Sequence, residues 1–218
     1  MRQSTKSYKS TKSLFKYTKL CAFDRKCFTH KDKTNKMFCD MIVKNIISTQ
    51  YKKILCLDSS IAKTSNMLIS KNITSKDNII LIEANNSTHQ THLSNGFSCI
   101  QGNCANVFTN YYFNSMDGIY LDAIGSVETV GCIVFDAVKH IINKNKTNKC
   151  VLGYTFAKRG RTKGQTFNST YNDFFSKFTD LIHKCNYKII DSDSYSYGSP
   201  KTGQACMFTE FVCIEKIN

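Results

Sequence analysis

Apolar residues come in short runs divided by polar stretches, and the first clear run sets the rhythm. Lys53-Ile-Leu-Cys-Leu-Asp58 ends in a carboxylate and is followed by small polar residues and the helix-like stretch Ala62 to Leu68, the pattern of a buried parallel strand turning into its crossover helix. Runs at Asn78 to Glu83, Phe97 to Gln101, Gly118 to Asp122 and Lys149 to Phe156 repeat it. Upstream, Met37, Phe38, Met41, Ile42, Ile46 and Ile47 recur at helical spacing and predict a helix over Lys36 to Gln50. Near the end, Ser169 to Cys185 reads as an amphipathic helix, and the strands Tyr187 to Ser194 and Gln204 to Lys216 flank a Gly/Pro loop too short for a helical crossover, so they are antiparallel. The fold expected is α/β, a doubly wound, mostly parallel sheet of about seven strands ending in an antiparallel hairpin. Such sheets bind ligands outside the carboxyl ends of their strands, which directs attention to Asp58 and the loop after it.

The length of 218 residues suits one domain with a modest appendage. Of the formal charge of +14, residues 1–36 supply +9, from eleven Lys or Arg against Asp24 and Asp32. The expected division is a basic N-terminal arm over 1–35 and a Rossmann-like domain over 36–218. The arm reads as a solvated tail, a nucleic-acid contact or a transit peptide; Tyr8 beside Lys9 and Tyr17 beside Lys16 suit single-stranded nucleic acid, where rings stack and ammonium groups meet phosphate. The eleven cysteines lie mostly inside apolar runs without a CxxC, which fits free thiols and an intracellular location. Cys21, Cys27, His30 and Cys39 lack the paired spacing of a zinc site, and His89 and His92 lack acidic or thiol partners, so no metal is expected. No apolar run reaches the roughly 20 residues of a membrane span. One Pro, no Trp and abundant Lys, Asn and Ile fit AT-rich coding, as in many large DNA viruses or protist parasites.

The candidate chemistry lies at strand ends. Glu83, some twenty-five residues beyond Asp58, ends the second strand, where a carboxylate can accept hydrogen bonds from both hydroxyls of a ribose. Gly102-Asn103 follows the third strand and Asp122 ends the fourth. This order resembles the motifs of class I S-adenosylmethionine-dependent methyltransferases, over Lys36 to the end. The resemblance implies S-adenosylmethionine as cofactor, Asp58 with Ser59 and Ser60 by its methionine moiety, Glu83 on its ribose, Gly102 and Asn103 at its adenine, and Asp122 beside the transferring methyl.

The first motif departs from that family, with Ser59-Ser60-Ile61-Ala62-Lys63 in place of Gly-x-Gly-x-Gly, as in some viral members. Small residues at 59, 60 and 62 keep the turn feasible, while an inactive scaffold is the alternative. The echo of a phosphate-binding loop at Ala62 to Ser65 lacks both glycines. Asp122-Ala-Ile-Gly125 lacks the prolines of DNA amino- and C5-methylating enzymes; Asp122 either orients a nucleophile or caps the helix starting near Ser126. Lys158, Arg159, Arg161 and Lys163 form a basic loop after the fifth strand, either solvated or in contact with substrate phosphate. The expectation is a methyltransferase acting on nucleic acid, RNA before DNA, with a catalytically inactive nucleic-acid- or protein-binding module as the alternative.

Overall fold

The computed structural model describes residues 25–47, 51–111, 113, 115–123, 125–144, 148–158, 166–198 and 206–217. The chain runs α1 (Arg25–Asn45), β1 (Ile54–Cys56), α2 (Lys63–Ser70), β2 (Ile79–Glu83), α3 (Asn86–Ser94), β3 (Ser98–Gln101), α4 (Cys104–Asn110), β4 (Gly118–Leu121), α5 (Val127–Lys144), β5 (Lys149–Ala157), α6 (Phe167–Lys184), β6 (Tyr187–Tyr197) and β7 (Met207–Lys216). The strands form one seven-stranded sheet in the order β3-β2-β1-β4-β5-β7-β6. β1 to β5 are parallel; β7 inserts antiparallel between β5 and β6. The parallel sheet with an antiparallel end is the architecture expected, with the last strand lying inside the edge.

Each face buries its own core. Leu55, Ile119, Leu152, Phe156, Val212 and Ile214 point to one side, beneath α5 and α6, while Ile54, Cys56, Leu81, Tyr120, Val151 and Phe211 point to the other, beneath α1 and α2. This alternation is the period of two of a strand buried on both faces. On the first side α6 is tied to the sheet by Glu210, whose carboxylate accepts from the hydroxyls of Tyr154 and Tyr171, both at 2.5 Å. Burial pushes the Glu210 carboxyl up, and the two hydroxyls hold part of that shift back.

The largest departure from expectation is α1. It begins at Arg25, so it takes in residues 25–35, which composition groups with the arm, and it ends at Asn45. Lysine density hides the helix. On the structure, Phe38, Met41 and Ile42 are buried, and one turn back on the same face Thr34 and Asn35 are fully buried too. The helix is fastened along its length: Phe38 packs on Tyr120 and Phe211, with ring centroids 5.1 and 5.8 Å away. Its last turn meets β6 through Lys44 and Asn45, which reach Asp191 Oδ2 at 2.9 and 2.8 Å.

Gly153 makes this packing possible. A Cβ there would lie 2.6 Å from two carbons of the Phe211 ring and 3.0 Å from Tyr120. Phe211 is fully buried between Phe38 and Tyr120 and has nowhere to retreat. Gly153→Ala should therefore destabilise the protein by about 1–3 kcal/mol, as overpacking does. Calorimetric melting should show a fall of roughly 5 °C; an unchanged Tm would mean the ring layer is looser than described.

Candidate functional site

Strand register builds the site. Cys56 of β1 pairs with Leu81 of β2 on one side and with Tyr120 of β4 on the other. Two residues beyond this paired trio stand Asp58, Glu83 and Asp122. The three carboxylates thus leave three neighbouring strands at one level, and with a period of two they share the face carrying Cys56, Leu81 and Tyr120, the face covered by α1 and α2. Strand spacing places neighbours about 5 Å apart and the outer two ~10 Å apart.

Asp58 is the best anchored of the three. Its Oδ1 accepts from the Ser59 amide at 2.9 Å, and its Oδ2 accepts from the amide and hydroxyl of Ser65, at 2.9 and 3.0 Å. It is 8% exposed, and burial pushes its carboxyl up, against the lowering effects of the Ser65 amide and the Lys31 charge. Between these anchors Ser59 and Ser60 are exposed and form a tight turn closed by the Ala62 amide on the Ser59 carbonyl at 2.7 Å. Ala62 takes the left-handed conformation, φ 48° and ψ 46°, that glycine adopts most easily. The glycine-poor loop therefore makes the sharp turn with alanine, against a cost of about 1–2 kcal/mol.

Glu83 is half-buried, and its Oε1 accepts from the Asn85 amide at 2.6 Å. The Gly102 amide donates to the Glu83 carbonyl at 3.0 Å, which brings the β3 turn alongside. Asn103 caps α4, its Oδ1 accepting from the Asn106 amide at 2.9 Å. Burial pushes the Cys39 and Cys104 thiols up to about 12 and Cys56 well above its ordinary value, which keeps these three thiols protonated.

Asp122 does not cap α5. Ser126 stands at that helix start, its Oγ accepting from the Thr129 amide at 3.4 Å. Asp122 Oδ2 instead accepts from Lys31 Nζ of α1, in an ion pair whose side chains are 19% (Lys31) and 23% (Asp122) exposed. Lys31 also lies over the Tyr120 ring, 4.7 Å from its centroid. Burial would lower the Lys31 pKa, but the charges of Asp122, Tyr120 and Asp58 more than offset this and hold the ammonium protonated far into the alkaline range. Two further contacts tie the same helix turn to the loop after Asp58: Lys63 to Asp32 at 3.0 Å, and the Thr64 hydroxyl to Asn35 Oδ1 at 3.0 Å. His30 stacks on Tyr197 with centroids 5.1 Å apart, and its Nδ1 lies 2.9 Å from the Tyr195 hydroxyl. Lys31 is the residue of the candidate site that sequence reasoning missed; stepping back by seven from Phe38 along the helical pattern would have reached it.

Lys158 lies at the end of β5, its Nζ 5.4 Å from the Phe167 ring centroid. With Phe167, Ser196, Tyr197, Gly198 and Cys206 it lines an open cleft of about 230 Å³. The Tyr197 hydroxyl is pushed up by burial and then by the Asp122 charge, and the Tyr197 ring stacks on His30, the neighbour of Lys31. Arg159, Arg161 and Lys163 lie outside the described residues, as do residues 1–24 of the arm. Cys39, Cys56, Cys99, Cys104, Cys132, Cys150, Cys185, Cys206 and Cys213 are free thiols. No described helix is long and apolar enough to cross a membrane.

No family model and no curated protein matches the chain. Solved structures do. TYW2 of M. jannaschii, in complex with AdoMet, superposes with a TM-score of 0.55 at 12% identity, over 85% of this chain and 76% of that one. A Pyrococcus horikoshii protein provisionally named an RNA methyltransferase gives 0.52 at 9% identity, over 85% and 84%. The [4+2]-cyclase SpnF gives 0.53 at 11% identity, over 85% and 82%.

The Lys31 pair has a pH signature. A fully buried pair that loses one partner costs about 3–5 kcal/mol; part-exposed as this one is, Asp122→Asn should cost ~1–3 kcal/mol. Because the folded Lys31 pKa is raised, its contribution is complete below the unfolded value of about 10.4 and is lost as pH rises through the folded value. Urea unfolding of the two proteins should show a constant gap from neutral pH to about 9 that closes at higher pH; a gap that widens with alkalinity would rule the pair out. At this level of likeness the comparisons establish architecture: the chain has the Rossmann-like fold of the class I S-adenosylmethionine-dependent methyltransferases.

Proposed function

We propose that the protein is an S-adenosylmethionine-dependent methyltransferase acting on nucleic acid, with RNA the first substrate to test. The observation that carries this reading is the row of three carboxylates at one level of the sheet's carboxyl edge, beside a turn that exposes Ser59, Ser60 and Ile61. The residues fit the cofactor. Asp58 takes its described hydrogen bonds from the neutral donors of Ser59 and Ser65, which leaves the turn end of the cup suited to the ammonium of the methionine moiety, while Lys31 is paired with Asp122.

Bound S-adenosylmethionine would supply an electrophilic methyl group. Glu83 would hold the ribose hydroxyls, Ser59 and Ser60 beside Asp58 the methionine moiety, and Gly102 with Asn103 the adenine. Asp122 would orient the acceptor through Oδ1, since the Lys31 bond uses Oδ2. Lys158, with Arg159, Arg161 and Lys163 after it in sequence, would meet substrate phosphate. Catalysis would rest mainly on alignment of the acceptor with the methyl. One second reading has an observation of its own: SpnF shares the fold and is named a cyclase, so the architecture also serves proteins that are not named methyltransferases.

Incubation with radiolabelled S-adenosylmethionine and separate pools of RNA, DNA and protein is the test. Label in RNA supports the proposal, label in protein alone moves the substrate, and no label in any pool favours an inactive module. Glu83→Ala should weaken S-adenosylmethionine binding tenfold or more, about 1.4 kcal/mol or above, while leaving unliganded stability nearly unchanged, because Glu83 makes one local hydrogen bond. Isothermal calorimetry and melting check the two halves separately; a collapse of stability would make the residue structural. Residues 1–24 hold six cations and one carboxylate, a net +5. Removing them should lower RNA affinity and flatten its salt dependence by up to about 3–4 in log–log slope. An unchanged slope in filter binding would exclude the arm from the interface.

A further inference from the structure

Three aromatic rings near the site each lie beside one of the protein's own lysines. Lys31 is paired with Asp122 over the ring of Tyr120, Lys33 lies 3.9 Å from the ring centroid of Tyr195, and Lys158 covers Phe167 at 5.4 Å. We propose that Lys31 determines the class of acceptor: it holds the place beside Asp122 that an ammonium group would need, so the site takes a neutral lone-pair heteroatom, as on a nucleobase or ribose, and rejects protonated amines such as lysine side chains and polyamines. This deepens the methyltransferase reading and rests on it.

Geometry holds Lys31 in place. The Thr34 hydroxyl donates to the Lys31 carbonyl at 3.0 Å, Asp32 is held by Lys63, Asn35 by Thr64, and His30 by the rings of β6. Swinging the ammonium aside would disturb contacts from the same turns of α1. A second ammonium reaching Asp122 would come within ~4 Å of the first, and at an effective dielectric near 20 that repulsion alone lowers affinity by on the order of a thousandfold. A neutral acceptor meets no such barrier. It can approach Oδ1 of the Asp122 carboxylate, since the Lys31 bond uses Oδ2, and phosphate charge elsewhere on the same molecule is drawn to the lysines near the site. Lys31 acts here as a specificity residue through Asp122.

The test needs no methyl transfer, so its failure is distinct from a failure to detect labelled product. n-Butylammonium is titrated at millimolar concentration into the full-length wild type, Lys31→Ala and the Lys31→Ala/Asp122→Asn double variant, with the backbone amide resonances of Asp122 and Ala123 as readout and sodium chloride as ionic-strength control. The expected result is saturable shifts in Lys31→Ala only, with wild type and double variant matching the salt control. Saturable binding to wild type at these amides overturns the proposal, as does a well-folded Lys31→Ala that gains no site. Should Lys31→Ala fail to fold, Lys31→Met keeps the stem and the same titration decides: saturable shifts at Asp122 and Ala123 support the proposal, and shifts that match the salt control overturn it.

Discussion

Three carboxylates emerging side by side from one sheet edge repel one another, and the sheet cannot avoid producing them. Once Cys56 is paired with both Leu81 and Tyr120, the pleat sends Asp58, Glu83 and Asp122 out at one height and on one face. Neighbouring like charges in a partly buried setting need a partner or must lose charge. The molecule meets this in three ways. Asp58 is surrounded by donors from its own loop, Glu83 accepts from the amide of Asn85, and Asp122 takes the ammonium of Lys31.

That last solution explains the placement of α1. The helix is pinned in its middle by Phe38 against Tyr120 and Phe211 and at its end by Lys44 and Asn45 against Asp191. Those contacts leave its first turns lying along the carboxyl edge, where Lys31 pairs with Asp122 and its charge acts on Asp58. The same turns touch the segment after Asp58 and the end of β6, so the helix ties these two parts of the candidate site together. The Gly153 gap, which lets Phe211 settle under Phe38, is by this route a remote support of the site.

Much of this was legible in the sequence for a physical reason. Buried parallel strands must be apolar, their ends must be polar, and a short Gly/Pro link cannot carry a crossover, so Asp58, Glu83, Gly102 and Asp122 fell at strand ends and the final pair of strands fell antiparallel. What was hidden depended on contacts distant in sequence. The lysines and threonines around α1 read as a solvated arm because nothing local shows that Thr34 and Asn35 are covered, or that Lys31 meets a carboxylate ninety-one positions away. The turn after Asp58 looked too poor in glycine, yet Ala62 adopts the left-handed conformation required. The helix-capping role considered for Asp122 went to Ser126, which lies closer to the first free amides of α5.

The central claim is that this carboxyl edge, with its alanine-built turn, receives S-adenosylmethionine. The most direct measurement is a titration of the isotopically labelled full-length protein with S-adenosylmethionine, followed at backbone amides. The account predicts saturable shifts concentrated at Ser59 to Ser65, at Ala84 and Asn85, and at Gly102 and Asn103, with the far ends of the strands unmoved. Shifts concentrated elsewhere, or none at millimolar ligand, would contradict it.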